Sequence, residues 1–275
     1  MNNGARQGGH VLPCFFFAPR WSLMSINSTD TTDSPSSVVN AVVDRCKSVL
    51  ADGWSGWREF WFKPADPLML GVIRILTGLM LTYNLLVWGL DLQAFFGAES
   101  LQPVNAIRSI YASEYVFSFL LYVPDEWLVP VHWSCVAIAL LFAAGVSTRV
   151  TAALGFLIAI SYSQRVPVAN FGLDQILGML CLYMAIGPSG TCLSVDSWWR
   201  NRRTTGKGLK LSVPKLPSAR TTLRLIQIHI CIIYFWAGFA KLKGDSWWTG
   251  EAMWQVIANE EYQTIDLTWM AYVPW

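Results

Sequence analysis

The sequence predicts an all-α fold: a polytopic integral membrane helix bundle of about five transmembrane helices, with interfacial helices beside them. Three observations predict it. Hydrophobic residues make up 53% of the 275 residues and charged residues only 14%, where a soluble domain carries about 25% charged residues. Apolar runs close to the roughly 20 residues that cross a hydrocarbon layer recur along the chain. Lysine and arginine fall between those runs, alternately dense and sparse. That placement makes the lipid bilayer the expected partner and argues against nucleic acid, and the net charge of +2 adds nothing specific.

The first segment, residues 1–40, lacks strong apolar periodicity and ends in the polar tract SINSTDTTDSPSS. Such composition cannot bury enough apolar surface to fold, so disorder is expected there. Val11–Pro19 is too short and too proline-broken for a signal-peptide core. Met24 stands just before the polar tract, where a natural start could lie. An interfacial amphipathic segment is expected next, at residues 41–67. Its helix, Val38–Phe62, ends in Trp54, Trp57, Phe60 and Trp61, the aromatic edge of a helix that lies on a membrane.

The rest, residues 68–275, forms the transmembrane domain. Its five expected spans are Leu68–Trp88, Leu128–Val146, Val150–Ser163, Phe171–Ile186 and Leu223–Ala240. The third is short. An aromatic-rich loop between the first two is expected to hold surface helices over Ala106–Tyr122.

The loop cations orient these spans. Arg6, Arg20, Arg45, Lys47, Arg58 and Lys63 precede the first, Arg149 sits in the tight turn between the second and third, and seven more occupy Arg200–Arg220. With five crossings all of these lie on one side. The other side has only Arg108, Arg165, Lys241 and Lys243 outside the spans. The N-terminus is then cytoplasmic and Lys241 lies at the outer face, in a bacterial inner membrane.

On the last span, Gln227, Cys231, Tyr234, Gly238 and Lys241 recur at four- and three-residue steps and share one helical face. Membrane helices turn small and polar residues inward, so this stripe is expected to face the bundle. Asp174, Gly178, Cys181 and Ala185 form a similar stripe on the fourth span. Asp174 and Lys241 then stand at one membrane level, and an ion pair between them is expected because isolated charges are costly there. Two plainer readings stand beside this one. Lys241 can snorkel to the headgroups, and Asp174 can simply complement a helix N-terminus. Arg74 reads as a structural residue bonded to a neighbouring helix, His229 as a packed neutral histidine, and Trp247, Trp248 and Trp254 as an interfacial belt. Six cysteines without a CxxC pair and three scattered histidines suggest neither a disulfide framework nor a metal site.

The segment QIHICIIYFWAGFAKLKGDSWWTGEAM, Gln227–Met253, resembles the vitamin K-dependent γ-glutamyl carboxylases and their wider relatives, the horizontally transferred transmembrane (HTTM) domain proteins. Three weaker stretches agree: Arg74–Gly78, the turn Gly145–Arg149, and Gly187–Asp196. The resemblance implies Lys241 as the base that deprotonates reduced vitamin K or menaquinol; Asp174 is its candidate partner from the two stripes alone. A lysine held partly out of water releases its proton more readily, which suits that role. Ala240 stands where the carboxylases have a second lysine, and Leu173 or Asp174 where they have a histidine. The family continues with further helices beyond the point matching Trp275, so the resemblance implies a truncated chain. A quinol-dependent carboxylase- or epoxidase-like enzyme, a non-catalytic membrane module and an inactive fragment all remain open at this level. A transporter fits less well, because no internal repeat supports alternating access.

Overall fold

The computed structural model of the chain describes residues 35–110, 117–205, 213–259 and 265–272. The expected disorder of residues 1–34, the alternative start at Met24 and part of the expected surface helix at 106–122 lie outside these. The chain divides into two units, Met1–Gly53 and Trp54–Trp275. The first is described only through the start of helix α1 (Pro35–Phe62), whose described side chains up to Gly53 are exposed. Helix therefore begins at Pro35, inside the segment expected to be disordered up to residue 40.

In the second unit α1 is followed by α2 (Leu68–Leu90), the short α3 (Leu92–Phe96) and α4 (Val104–Ile110), then α5 (Asp125–Ala144), α6 (Thr148–Arg165), α7 (Gly172–Ile186), α8 (Val195–Thr205), α9 (Pro217–Lys243), α10 (Asp245–Trp248) and α11 (Glu251–Ile257). There is no strand among the described residues, so the all-α expectation holds. Helices α2, α5 and α9 are long and apolar enough to cross a membrane; α7 is apolar but shorter. At 1.5 Å per residue the 15 residues of α7 rise only about 22 Å, against a hydrocarbon layer of about 30 Å. The expected third span exists as α6 but is the least apolar of the five, with threonines, serines and two arginines along it. Length and composition thus single out three spans rather than five.

The core lies among α2, α5, α6 and α7. On α2 the buried positions Leu70, Arg74, Thr77, Gly78, Leu81 and Leu85 follow helical spacing. Close approach is set by small residues. A Cβ on Gly78 would stand 2.7 Å from the backbone of Ala143 on α5. Gly155 of α6 likewise lies against Cys181 of α7. These are the small-residue contacts by which membrane helices pack closely. The turn from α5 to α6 needs Gly145: its φ of 79° is left-handed, and its N–H donates to Leu141 O at 2.9 Å.

The connections show that the helices alternate in direction. Ala65 and Leu216 exchange backbone hydrogen bonds, which brings the starts of α2 and α9 together. Thr221 Oγ1 donates to Trp61 O at 3.0 Å, and the Arg224 guanidinium lies over the Phe60 ring at 4.4 Å. The α5–α6 turn and the α7–α8 loop gather around Arg74 at this same end. Opposite it stand the α2–α3 corner, the end of α6 and the start of α7. Lys63, Arg149, Arg200 and Arg220, four of the cations that the sequence put on one side, therefore lie at one end of the bundle.

Candidate functional site

The last span is where Lys241 was expected to work, and α9 packs only through its first half. Ala219, Thr222 and Ile226 are buried, while every residue from Ile230 to Lys243 is exposed. Half-buried His229 accepts or donates one hydrogen bond, Nδ1 to Tyr183 Oη at 2.9 Å, and this is where α9 meets α7. The expected polar stripe does not face the bundle in this structure. Gln227 takes the Arg224 guanidinium at 2.8 Å, and Cys231, Tyr234, Gly238 and Lys241 are exposed. A Cβ on Gly238 would meet nothing within 4 Å, so that glycine serves no close helix contact here.

Lys241 Nζ lies 4.7 Å from the centroid of the Trp247 ring, and Lys243 Nζ lies 5.0 Å from that of Phe239. The corner that brings Trp247 round to Lys241 is made at Gly244, whose N–H donates to Lys241 O at 3.1 Å. Trp248 Nε1 donates to Leu242 O at 2.9 Å and closes the same corner. The lysine is thus held over an aromatic face, a cation–π arrangement.

Asp174 is engaged elsewhere. One carboxylate oxygen accepts from Asn84 Nδ2 at 2.7 Å and the other from Phe171 N at 2.9 Å. The second bond satisfies an amide at the start of α7, as acidic residues in a first turn do. Asp174 and Lys241 lie on the same side of the Tyr183–His229 contact, hence at one end. Among the described residues, however, no ion pair or hydrogen bond joins them. The expected pair is replaced by Asn84–Asp174 and Lys241–Trp247, because α9 leaves the bundle before Lys241 is reached.

At the opposite end the three weaker motifs meet. Arg74 is fully buried. Its guanidinium donates to Ser189 O at 2.8 Å, to Leu193 O at 2.5 Å and to Cys192 O at 3.4 Å. Asp196 accepts from Ser147 N at 3.0 Å and Thr148 N at 3.1 Å, capping α6, while its own N–H donates to Gly145 O at 3.2 Å. Gly145 has no room for a side chain, since a Cβ would stand 2.5 Å from Ser194 and 2.8 Å from Arg74. Arg74–Gly78, Gly145–Arg149 and Gly187–Asp196 are therefore one structural lock, and Arg74 is the structural residue it was expected to be.

Two buried polar groups escaped the sequence reading. Arg165, counted there as a loop cation, is fully buried. It donates to Gln102 O at 2.8 Å, Ser100 Oγ at 3.1 Å and Phe96 O at 3.3 Å, tying the loop after α3 to the end of α6. Its signal was its position, since it continues the buried spacing of Ile158 and Tyr162. His132 on α5, set aside as scattered, bonds Tyr162 Oη through Nδ1 at 2.8 Å. Its spacing from Leu128 and Cys135 on one helical face was the available signal. No metal-binding group of His, Cys, Asp or Glu occurs among the described residues.

Residues 62–273 match the family model described as HTTM domain. None of the curated proteins and none of the solved structures matches the chain.

Proposed function

Since the chain belongs to the HTTM domain family, and is an integral membrane protein of that family, we propose that it crosses the bilayer five times and carries Lys241 at the outer face as the base for a quinol. The helices alternate in direction, so five crossings put the Arg74 end and the Lys241 end on opposite sides. The Arg74 end holds Lys63, Arg149, Arg200 and Arg220, and the positive-inside rule puts such an end in the cytoplasm. In a bacterial cell the membrane is then the inner one. Burial of Arg165 strengthens this assignment, because it leaves the Lys241 end with one fewer cation in water.

The observation that carries the quinol reading is the corner at Gly244. It sets a primary amine 4.7 Å above an indole ring beside an exposed apolar helix. Once the amine swings off the indole, a flat ring such as reduced vitamin K or menaquinol stacks on Trp247 with the Lys241 amine at its edge and its isoprenoid tail along α9. Asp174, held by Asn84 and standing at the same end, is the carboxylate available to partner the lysine.

A second reading has its own observation. A lysine becomes a working base when burial or a neighbouring cation disfavours its charged form. Lys241 is exposed, and no contact joins it to Asp174. This favours a non-catalytic membrane module in which Lys241 anchors α9 at the interface.

One substitution separates the readings. Arginine can anchor but cannot release its proton at working pH. With a quinol base, Lys241→Arg inserts and folds normally but loses quinol-dependent oxygen uptake or epoxide formation, and Lys243→Arg changes neither. The measurement is turnover of reduced vitamin K and of menaquinol in membranes carrying each variant. Retention of activity by Lys241→Arg rejects the base, and absence of turnover in the parent chain leaves the non-catalytic module.

A further inference from the structure

A cleft of about 430 Å³ opens at the Arg74 end, between the start of α6 and the loop running into α8. Ser147, Thr148 and Thr191 contribute hydroxyls to its wall, and Arg149 and Arg200 contribute guanidinium groups. Asp196 also lines it, but both its oxygens are occupied by the amides of Ser147 and Thr148. The two arginines therefore face the cleft without an ion pair among the described residues. Arg149 is exposed and makes no hydrogen bond among them. Arg200 reaches across to Gly190 O at 3.1 Å and keeps the rest of its fork free. Thr148 is 7% exposed, and its hydroxyl has no hydrogen-bond partner among the described residues. Gly190 leaves the space over it open, since a Cβ there would stand 2.1 Å from Thr148 Oγ1.

The surroundings say where the ligand comes from. On α8, which carries Arg200, Arg202 lies over Trp198 at 4.9 Å and Arg203 over Trp199 at 5.0 Å. Tryptophan paired with arginine is the composition of a helix seated at headgroup level. The cleft therefore opens at the depth where lipid phosphates lie. Two forked cations and the Thr148 hydroxyl make donors for phosphate oxygens.

We propose that this cleft binds the phosphate of an anionic phospholipid headgroup, with Arg149 and Arg200 as the charged donors and Thr148 as the neutral one; the Thr191 hydroxyl is already donated to Pro188 O at 2.8 Å. Basic pockets at helix ends take lipid headgroups by this chemistry. The site lies at the opposite end of the bundle from Lys241 and needs no turnover, so it stands or falls separately from the quinol reading.

The test uses the full chain purified in detergent. Retention of phosphatidylglycerol, of phosphatidylcholine and of inorganic phosphate is measured by native mass spectrometry and by competition. The expected result is retention of phosphatidylglycerol over phosphatidylcholine. Arg149→Gln weakens that retention about fivefold, the equivalent of roughly 1 kcal/mol per basic side chain near a headgroup. Adding Arg200→Gln abolishes the preference, while Arg108→Gln and Lys241→Arg leave it unchanged. Arg149 is exposed and carries no bond of the fold, so its single variant decides the matter even if the double variant misfolds. Equal retention of the two lipids overturns the proposal, and so does full retention by Arg149→Gln. Binding of inorganic phosphate without any preference for phosphatidylglycerol overturns the lipid source.

Discussion

Arg74→Met is expected to destabilise the bundle more than any other single change at its buried polar positions. The guanidinium satisfies three carbonyls, those of Ser189, Cys192 and Leu193. Methionine fills most of the volume but donates nothing. Each carbonyl left unpaired in a dry site costs about 1–3 kcal/mol, and hydrogen bonds to charged groups are stronger than neutral ones. Measured side-chain bonds in membrane bundles are weaker than this, so about 3 kcal/mol in total is a reasonable expectation. The α7–α8 loop should detach first, and with it the cap that Asp196 provides to α6. Thermal loss of the monodisperse species in detergent measures the effect. A variant as stable as the parent would show that the lock around Arg74 is not what holds this end together. Arg74→Lys should recover only part of the loss, because a point-like ammonium cannot serve carbonyls spread across a planar fork.

Gly78→Leu should be comparably damaging for a different reason. Here the obstacle is backbone. A single added carbon would already lie 2.7 Å from the N, Cα and Cβ atoms of Ala143. No side-chain rotation relieves that contact, so α2 and α5 must move apart. Overpacking of a tight core costs about 1–3 kcal/mol and more when backbone must shift. Separation of α2 from α5 also opens the packing around Leu81, Leu85 and Phe142. Gly78→Ala should show a smaller loss of the same kind, and Gly238→Ala none, since the space around Gly238 is open. Melting curves of the three variants in one detergent make the comparison. Equal stability of Gly78→Leu and Gly238→Ala would refute the close-packing argument.

The helices were readable because apolar length is a local property. All five runs are helices within a few residues of their expected bounds. Their number as spans is less readable, because α6 and α7 owe their place to burial against each other rather than to apolar length. Arg74, Thr77 and Asn84 share a face of α2, and each meets the bundle. The stripe through Lys241 obeyed the same periodicity and does not. Periodicity says which residues share a face and not whether a neighbour covers it, and here the neighbours of α9 end at its midpoint. Arg165 was misplaced for the reverse reason. A cation at a helix end reads as a loop charge, and only the loop after α3 folding back over it makes it internal. The three weak motifs were seen separately in the sequence; their union around Arg74 depends on contacts more than one hundred residues apart.

Everything proposed for Lys241 depends on five crossings that set it opposite the basic loop, and impermeant thiol labelling tests this most directly. Lys207→Cys and Asp245→Cys are introduced singly into a chain whose accessible cysteines are replaced by serine, and intact cells are treated from outside. The account predicts that Asp245→Cys labels at once and that Lys207→Cys labels only after the membrane is opened. Labelling of Lys207→Cys in intact cells, or protection of both positions together, would contradict it.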